Sequence, residues 1–208
     1  KIVQISSSEV LEAIRIRPTH SNIKQPGLGV GGYCLTKDPL MGIVSCNQIF
    51  KINPTDFEVS KKSVLINSQM PKNTLDLIKK NVSSTKDKSV LILGLTYRED
   101  VQDTRYSPSL KLIEYFGRNF KKISSHDPML SKIDHNQFLF EKDLPDPNDF
   151  DVIVLAVSHS QYKEINFASW LERFKGLFID SNNVLSNNQI SNLKKLNLKL
   201  RIIGRGDI

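Results

Sequence analysis

Cysteine is scarce in this chain: Cys34 and Cys46 are the 2 among 208 residues. Two thiols make no disulfide framework of the kind that holds small secreted domains, and a reducing cytoplasm is the expected setting. Long hydrophobic runs are missing as well. No apolar stretch is long enough to cross a bilayer, and no secretory leader pattern opens the chain. There is no internal repeat, no low-complexity tract and no metal-ligand set. Basic residues are in excess, 29 Lys and Arg against 22 Asp and Glu. They are spread rather than gathered in one stripe, and no helix-turn-helix or aromatic RNA-binding pattern accompanies them, which argues against nucleic acid. The net charge of +7 suits solubility or an anionic small molecule such as a nucleotide diphosphate. What is there is an ordinary globular composition, in a length sufficient for one large domain or two small ones. Lys1 is not a Met, and KIVQISSSEVLEAI reads as if it begins inside an element, so a piece of a longer chain is expected.

Two regimes follow one another. Residues 1–84 read as a helical region. Ser8 can cap a helix over EVLEAIRI that Pro18 ends. A second helix is expected over about 40–49, where Cys46 in GIVSCNQIF should be a buried, inert thiol. A third is expected over 54–81, with apolar Phe57, Val59, Val64, Leu65, Met70, Leu75 and Ile78, and with Pro71 bending or breaking it. Long helices with little sheet around them often supply a dimer interface, so a homodimer through these helices is expected. The polar segment NVSSTKDKS marks a boundary, and residues 85–208 read differently. SVLILGL, KKISSHD, DVIVLAV, GLFID and LKLRIIG read as strands; SPSLKLIEYFGRN, with Ser107 as cap and Pro108 in its first turn, and NQISNLKKL read as helices. The alternation predicts an α/β fold: a helical region followed by an open parallel sheet of Rossmann type.

Between the first helices lies PGLGVGGYCLTKDP, residues 26–39. Gly27, Gly29 and Gly32 satisfy a GxGxxG spacing, but no strand precedes it, Pro26 does, and Pro39 interrupts the stretch where a helix would have to begin, so it is not a dinucleotide fingerprint. Such glycines permit unusual backbone angles and close approach of main-chain N–H groups to a ligand. A thiol at the end of the loop can face an open pocket. Lys37 can help hold a thiolate, and Asp38 can position water or a proton.

The order of further motifs carries a resemblance. INSQMP (66–71), GLTYREDVQDTRYSP (94–108), HDP (126–128), LAVSHSQY (155–162), FIDSNN (178–183) and IGRG (203–206) come after the cysteine loop. Together they resemble the UDP-glucose/GDP-mannose dehydrogenase family, and NIKQPGLGVGGYC resembles its UDP-N-acetylmannosamine dehydrogenase branch. The resemblance implies NAD-dependent oxidation of a nucleotide-sugar C6 alcohol to the acid, by way of a thiohemiacetal and a thioester on cysteine. Carried over residue by residue, it makes Cys34 the nucleophile and Asp38 the carboxylate that handles water. It makes Gly31 a backbone contact to the substrate, and Tyr97 and Arg98 the aromatic–basic pair on it, with Arg in place of the family's Lys. Lys37 and Arg105 match basic residues that reach NAD. His20 stands where the branch has a substrate-binding Arg, and Asn182 and Asn183 stand where a basic residue is usual. The family's main NAD-binding domain would lie upstream of Lys1, leaving this piece inactive alone. UDP-N-acetylmannosamine, UDP-N-acetylglucosamine and UDP-glucose are the substrates implied, in that order. The alternative is a non-catalytic nucleotide-binding and dimerising module.

Overall fold

The structure, a computed structural model, describes residues 5–53, 57–133 and 135–206. Helix α1 spans Ser7–Arg15 and is capped by Ser6, not Ser8: Ser6 has extended backbone and its hydroxyl accepts the Glu9 N–H at 3.3 Å. It stops short of Pro18, which opens a 3₁₀ turn, Pro18–His20. The Arg15 guanidinium reaches forward to the Ile23 carbonyl, Nε at 2.6 Å, and ties the following segment back to α1. Helix α2, Met41–Ser45, widens into a π turn, Cys46–Phe50, that Lys51 closes at φ 56°. Cys46 is accordingly half-buried rather than buried.

Helix α3, Glu58–Asn81, runs through Pro71 without breaking. Residues 54–56, where the sequence places the start of this helix, lie outside the described residues. A proline inside a helix has no N–H for the carbonyl four residues earlier. Here that carbonyl is Asn67 O, and it faces Gly29, where an added Cβ would stand 3.3 Å from it. The carbonyl that the proline leaves without its helical donor therefore lies against the glycine loop.

Six strands form one parallel sheet: β1 Ser89–Leu93, β2 Lys122–His126, β3 Leu139–Glu141, β4 Val152–Leu155, β5 Leu177–Asp180 and β6 Lys199–Ile202, in the order β3-β2-β1-β4-β5-β6. This is the doubly wound order, with its topological switch point between β1 and β4. Five of the strands are those read from the sequence. The edge strand β3, three residues long, is too short to show a pattern of its own.

Period-two alternation sends strand side chains to opposite faces. Val90, Ile92, Val152, Val154, Leu177 and Ile179 face one layer, closed by α4 (Pro108–Phe116) and the last turns of α3 through Leu75 and Ile78. Leu91, Leu93, Ile153, Leu155 and Phe178 face the other, closed by the short helices α5 (Ser160–Lys163) and α6 (Phe167–Trp170) and by α7 (Asn187–Leu193). Burying each large side chain stabilises by about 1.5–3 kcal/mol relative to exposure. Among the described residues, α1, α2 and the first half of α3 add no buried residue to either layer. No residue of α1 is buried, and Met41, Ile49, Phe50, Val59, Leu65 and Ile66 are all more than half exposed. Among the described residues, no helix is long and apolar enough to cross a membrane.

Candidate active site

The glycine loop is inserted between α3 and the long turn that follows β1, residues 94–107. Leu28 anchors it, buried in the first core layer. Asn67 of α3 then holds both backbone groups of Val30: Val30 N–H donates to Asn67 Oδ1 at 2.7 Å, and Asn67 Nδ2 donates to the Val30 carbonyl at 2.8 Å. Gly31 presses against the far wall. A Cβ there would lie 2.7 Å from Tyr106 O and 2.8 Å from both Pro108 Cδ and Tyr97 Cβ, so no side chain fits. Gly32 has φ +83°, sits against the Tyr97 ring, and donates its N–H to the Arg105 carbonyl at 3.1 Å. Two sequence-distant loops are thus joined by backbone just before the cysteine.

Cys34 is exposed. Its carbonyl accepts the N–H groups of Lys37 at 3.1 Å and Asp38 at 2.8 Å, a single helical turn that brings Asp38 round behind the cysteine. Lys37 Nζ lies 2.5 Å from Asp38 Oδ1 and 4.3 Å from the centre of the Tyr33 ring. The Asp38 hydrogen bond raises the Lys37 pKa above its ordinary value, with smaller contributions from the Asp38, Tyr33 and Cys34 charges. The ammonium is thus placed first for Asp38. At 43% and 41% exposure the pair is open to solvent, and screening keeps such a pair weak.

Tyr97 and Arg98 lie on the turn across from the glycine loop. Arg98 is exposed and, among the described residues, makes no ion pair; Asp103 pairs with Arg105, and Asp100 accepts the Ser160 hydroxyl. Arg105 claims Asp103, with Nε 3.1 and 3.0 Å from its two oxygens and Nη2 2.7 Å from Oδ2, and holds that carboxyl below its ordinary pKa. Arg105 is nonetheless 69% exposed. Asp100 accepts the Ser160 hydroxyl at 2.6 Å and N–H at 3.0 Å, which lowers its pKa. His20 is not drawn into this assembly. It sits in the 3₁₀ turn after α1 with Nδ1 2.8 Å from the neighbouring Thr19 Oγ1.

Asn182 and Asn183, where a basic residue was expected, have a structural task. Asn183, at φ 53°, donates to the Pro26 carbonyl at 2.7 Å and the Ile203 carbonyl at 3.1 Å. Asn182 packs on Gly27, where an added Cβ would meet its Oδ1 at 2.0 Å. The end of β5 and the end of β6 thus hold the entrance of the cysteine loop. Asp180 shapes this corner: buried, it accepts the N–H groups of Asn182 and Leu185, yet burial pushes its pKa up despite them.

Sequence reasoning missed the buried groups beneath the turn. Asp127, fully buried, accepts the N–H of Leu95 at 2.6 Å and of Thr96 at 2.9 Å on Oδ2, and of Met129 at 2.8 Å on Oδ1. Burial pushes its pKa up, but hydrogen bonds from His159 and from the Leu95 and Thr96 amides outweigh that and leave it lowered. HDP and SHSQY were visible as motifs, but β-crossovers separate them, and nothing in their spacing says that they meet. Among the described residues no cluster of three or more His, Cys, Asp or Glu can hold a metal ion.

Residues 91–187 match a family model described as UDP-glucose/GDP-mannose dehydrogenase family, UDP binding domain. Over 207 residues, 96% of this chain and 45% of the relative, the chain is 30% identical to UDP-N-acetyl-D-mannosamine dehydrogenase of Pyrococcus horikoshii. It is 32% identical to the enzyme of the same name from Methanococcus vannielii, over 99% of this chain and 47% of the relative. The solved structure of UDP-D-ManNAc dehydrogenase from Pyrococcus horikoshii superposes with a TM-score of 0.73 at 26% identity, covering 99% of this chain and 46% of that one. The chain spans about half the length of the curated relatives it matches.

Proposed function

The chain belongs to the UDP-glucose/GDP-mannose dehydrogenase family, and from that premise we propose that it is the cysteine-bearing, substrate-binding part of a NAD-dependent nucleotide-sugar 6-dehydrogenase. The observation that carries the reading is the exposed Cys34, at the end of a glycine loop joined through Gly32 to the turn that bears Tyr97 and Arg98. Arg98, without an ion-pair partner among the described residues, supplies a cation for the diphosphate or sugar. The Tyr97 ring closes the loop's rear, and Gly31, pressed against that wall, offers its main-chain groups to the substrate.

Cys34 Sγ, as thiolate, adds to the C6 aldehyde to give a thiohemiacetal. Once oxidised to the thioester, the adduct is attacked by water, and Asp38 takes the water's proton as the C–S bond breaks and the thiolate leaves. NAD, when bound, accepts the hydride of each of the two oxidations. Lys37 and Arg105 fit its phosphates: the Lys37 ammonium feels the Cys34 charge, the Arg105 carbonyl holds Gly32, and both side chains have part of their surface open to solvent. The first turn of the parallel sheet, GLTYRED, has no glycine fingerprint. We therefore place the principal NAD-binding domain in the part of the relatives' length that this chain does not span, and this piece is inactive without it. UDP-N-acetylmannosamine is the first substrate to try, followed by UDP-N-acetylglucosamine and UDP-glucose. The exposed apolar residues of the helical region support a homodimer through those helices.

The test is Cys34→Ser in the full-length protein with a panel of the three UDP sugars. Acid formation should cease; unchanged acid production removes Cys34 from the chemistry. UDP binding without turnover of any sugar by the wild type would favour the nucleotide-binding module instead.

A further inference from the structure

The turn that presents Tyr97 and Arg98 is wired to two buried side chains. Asp127 Oδ2 holds the amides of Leu95 and Thr96 and lies 3.2 Å from His159 Nε2. His159 Nε2 also lies 3.1 Å from Thr96 Oγ1, and that hydroxyl donates to the Arg98 carbonyl at 3.1 Å. On the other side of the ring, His159 Nδ1 accepts the Asp100 N–H at 3.0 Å, which puts the ring hydrogen on Nε2, facing Asp127. Asp100 has φ +54°, a left-handed backbone uncommon outside glycine, asparagine and aspartate, and its N–H bond to His159 fixes it there. Its carboxylate is held from outside by Ser160. His159 is fully buried, with the Tyr162 ring edge-on at 5.5 Å, and Tyr162 in turn donates to the His126 carbonyl at 2.8 Å.

We propose that Asp127 and His159 are positioning residues for substrate: through the Leu95, Thr96 and Asp100 amides and the Arg98 carbonyl, they fix the left-handed turn that aims Tyr97 and Arg98 at the nucleotide sugar. This rests on the reading above that the turn contacts substrate. Between them the two side chains reach three amides of this turn, and through the Thr96 hydroxyl the Arg98 carbonyl, and no backbone group of the strands. His159 is the sensitive member, because it alone touches both Thr96 and Asp100, the residues on either side of Tyr97 and Arg98.

The experiment uses the full-length protein and the UDP sugar it turns over. His159→Ala should raise KM about tenfold, the effect of losing hydrogen bonds at a buried group, while kcat stays within about threefold. His159→Asn returns an acceptor to the Asp100 N–H and should recover most of the KM. Ser160→Ala removes only the outer hydroxyl and should raise KM about threefold, and it reads the same turn if His159→Ala does not fold. Unchanged KM in both His159→Ala and Ser160→Ala, or a KM that His159→Asn fails to restore, overturns the proposal while leaving the enzyme reading intact. A wild type that turns over no nucleotide sugar overturns the enzyme reading itself and this inference with it.

Discussion

Asn67→Ala isolates the coupling between α3 and the cysteine loop. The wild-type amide makes two neutral hydrogen bonds to one residue, from Val30 N–H at 2.7 Å and to Val30 O at 2.8 Å. Each is worth about 0.5–1.5 kcal/mol net. Val30 is 51% exposed, so water replaces both partners and the low end applies. The sum, roughly 1–1.5 kcal/mol, corresponds to about a tenfold increase in opening of the loop. Global stability should change little, because Leu28 still anchors the loop in the core. Amide hydrogen exchange resolves the two. The Val30 N–H will exchange faster for the trivial reason that its acceptor is gone. The diagnostic amide is Gly32, which is bonded to the Arg105 carbonyl and not to Asn67; its exchange should rise about tenfold. Asn67→Asp sharpens the test. It keeps an acceptor for Val30 N–H but sets a second carboxylate oxygen against the Val30 carbonyl, so it should be at least as open as Asn67→Ala at neutral pH. It should tighten again as acid protonates the carboxyl. If Gly32 exchanges at the wild-type rate in Asn67→Ala, the asparagine serves only Val30, and α3 does not hold the cysteine loop.

Gly31→Ala should cost about 1–3 kcal/mol in urea denaturation, the usual penalty of overpacking, since its Cβ would meet backbone and a proline ring. Gly117→Ala, whose nearest neighbours stand 3.8 Å away, is the control that should be close to neutral. Asp127 has a folded pKa below its ordinary value, so its stabilisation is complete above the unfolded value and is lost as pH falls through the folded one. Thermal melts should therefore show an acid limb below about pH 4 that Asp127→Asn flattens, at a cost of about 2–3 kcal/mol at neutral pH; an unaltered limb would mean that other carboxylates carry it. Val59 and Ile66, seven residues apart on α3 and 81% and 59% exposed, share a helix face. Ile66→Glu should convert a dimer to a monomer in sedimentation velocity, and a wild-type chain that sediments as a monomer at high concentration rules out this face as the dimer contact.

The sequence alone determined whatever depends on local pattern. Continuous apolar runs specify strands buried on both faces, so β1, β4 and β5 were readable from Ser89, Val152 and Leu177 onward. Ser107 and Pro108 marked a helix start because capping is chemistry between near neighbours. Cys34 stood out with its glycines for the same reason. Local pattern also misled: Ser8 satisfied a cap rule that Ser6 fulfils, and of the bend or break read at Pro71 the break does not occur. Only tertiary structure decided which residues hold the cysteine loop and the turn across from it. Asn67, Asn183, Asp127 and His159 each act on a peptide more than 30 residues away, across a helix or a strand crossover. A buried carboxylate or amide is chosen by the N–H and carbonyl groups left over when elements pack, and those leftover groups have no signature along the chain. Arg98 and Arg105 differ on the same ground. Their charges are equally visible in the sequence, but only the fold gives Asp103 to Arg105 and leaves Arg98 without an ion-pair partner among the described residues.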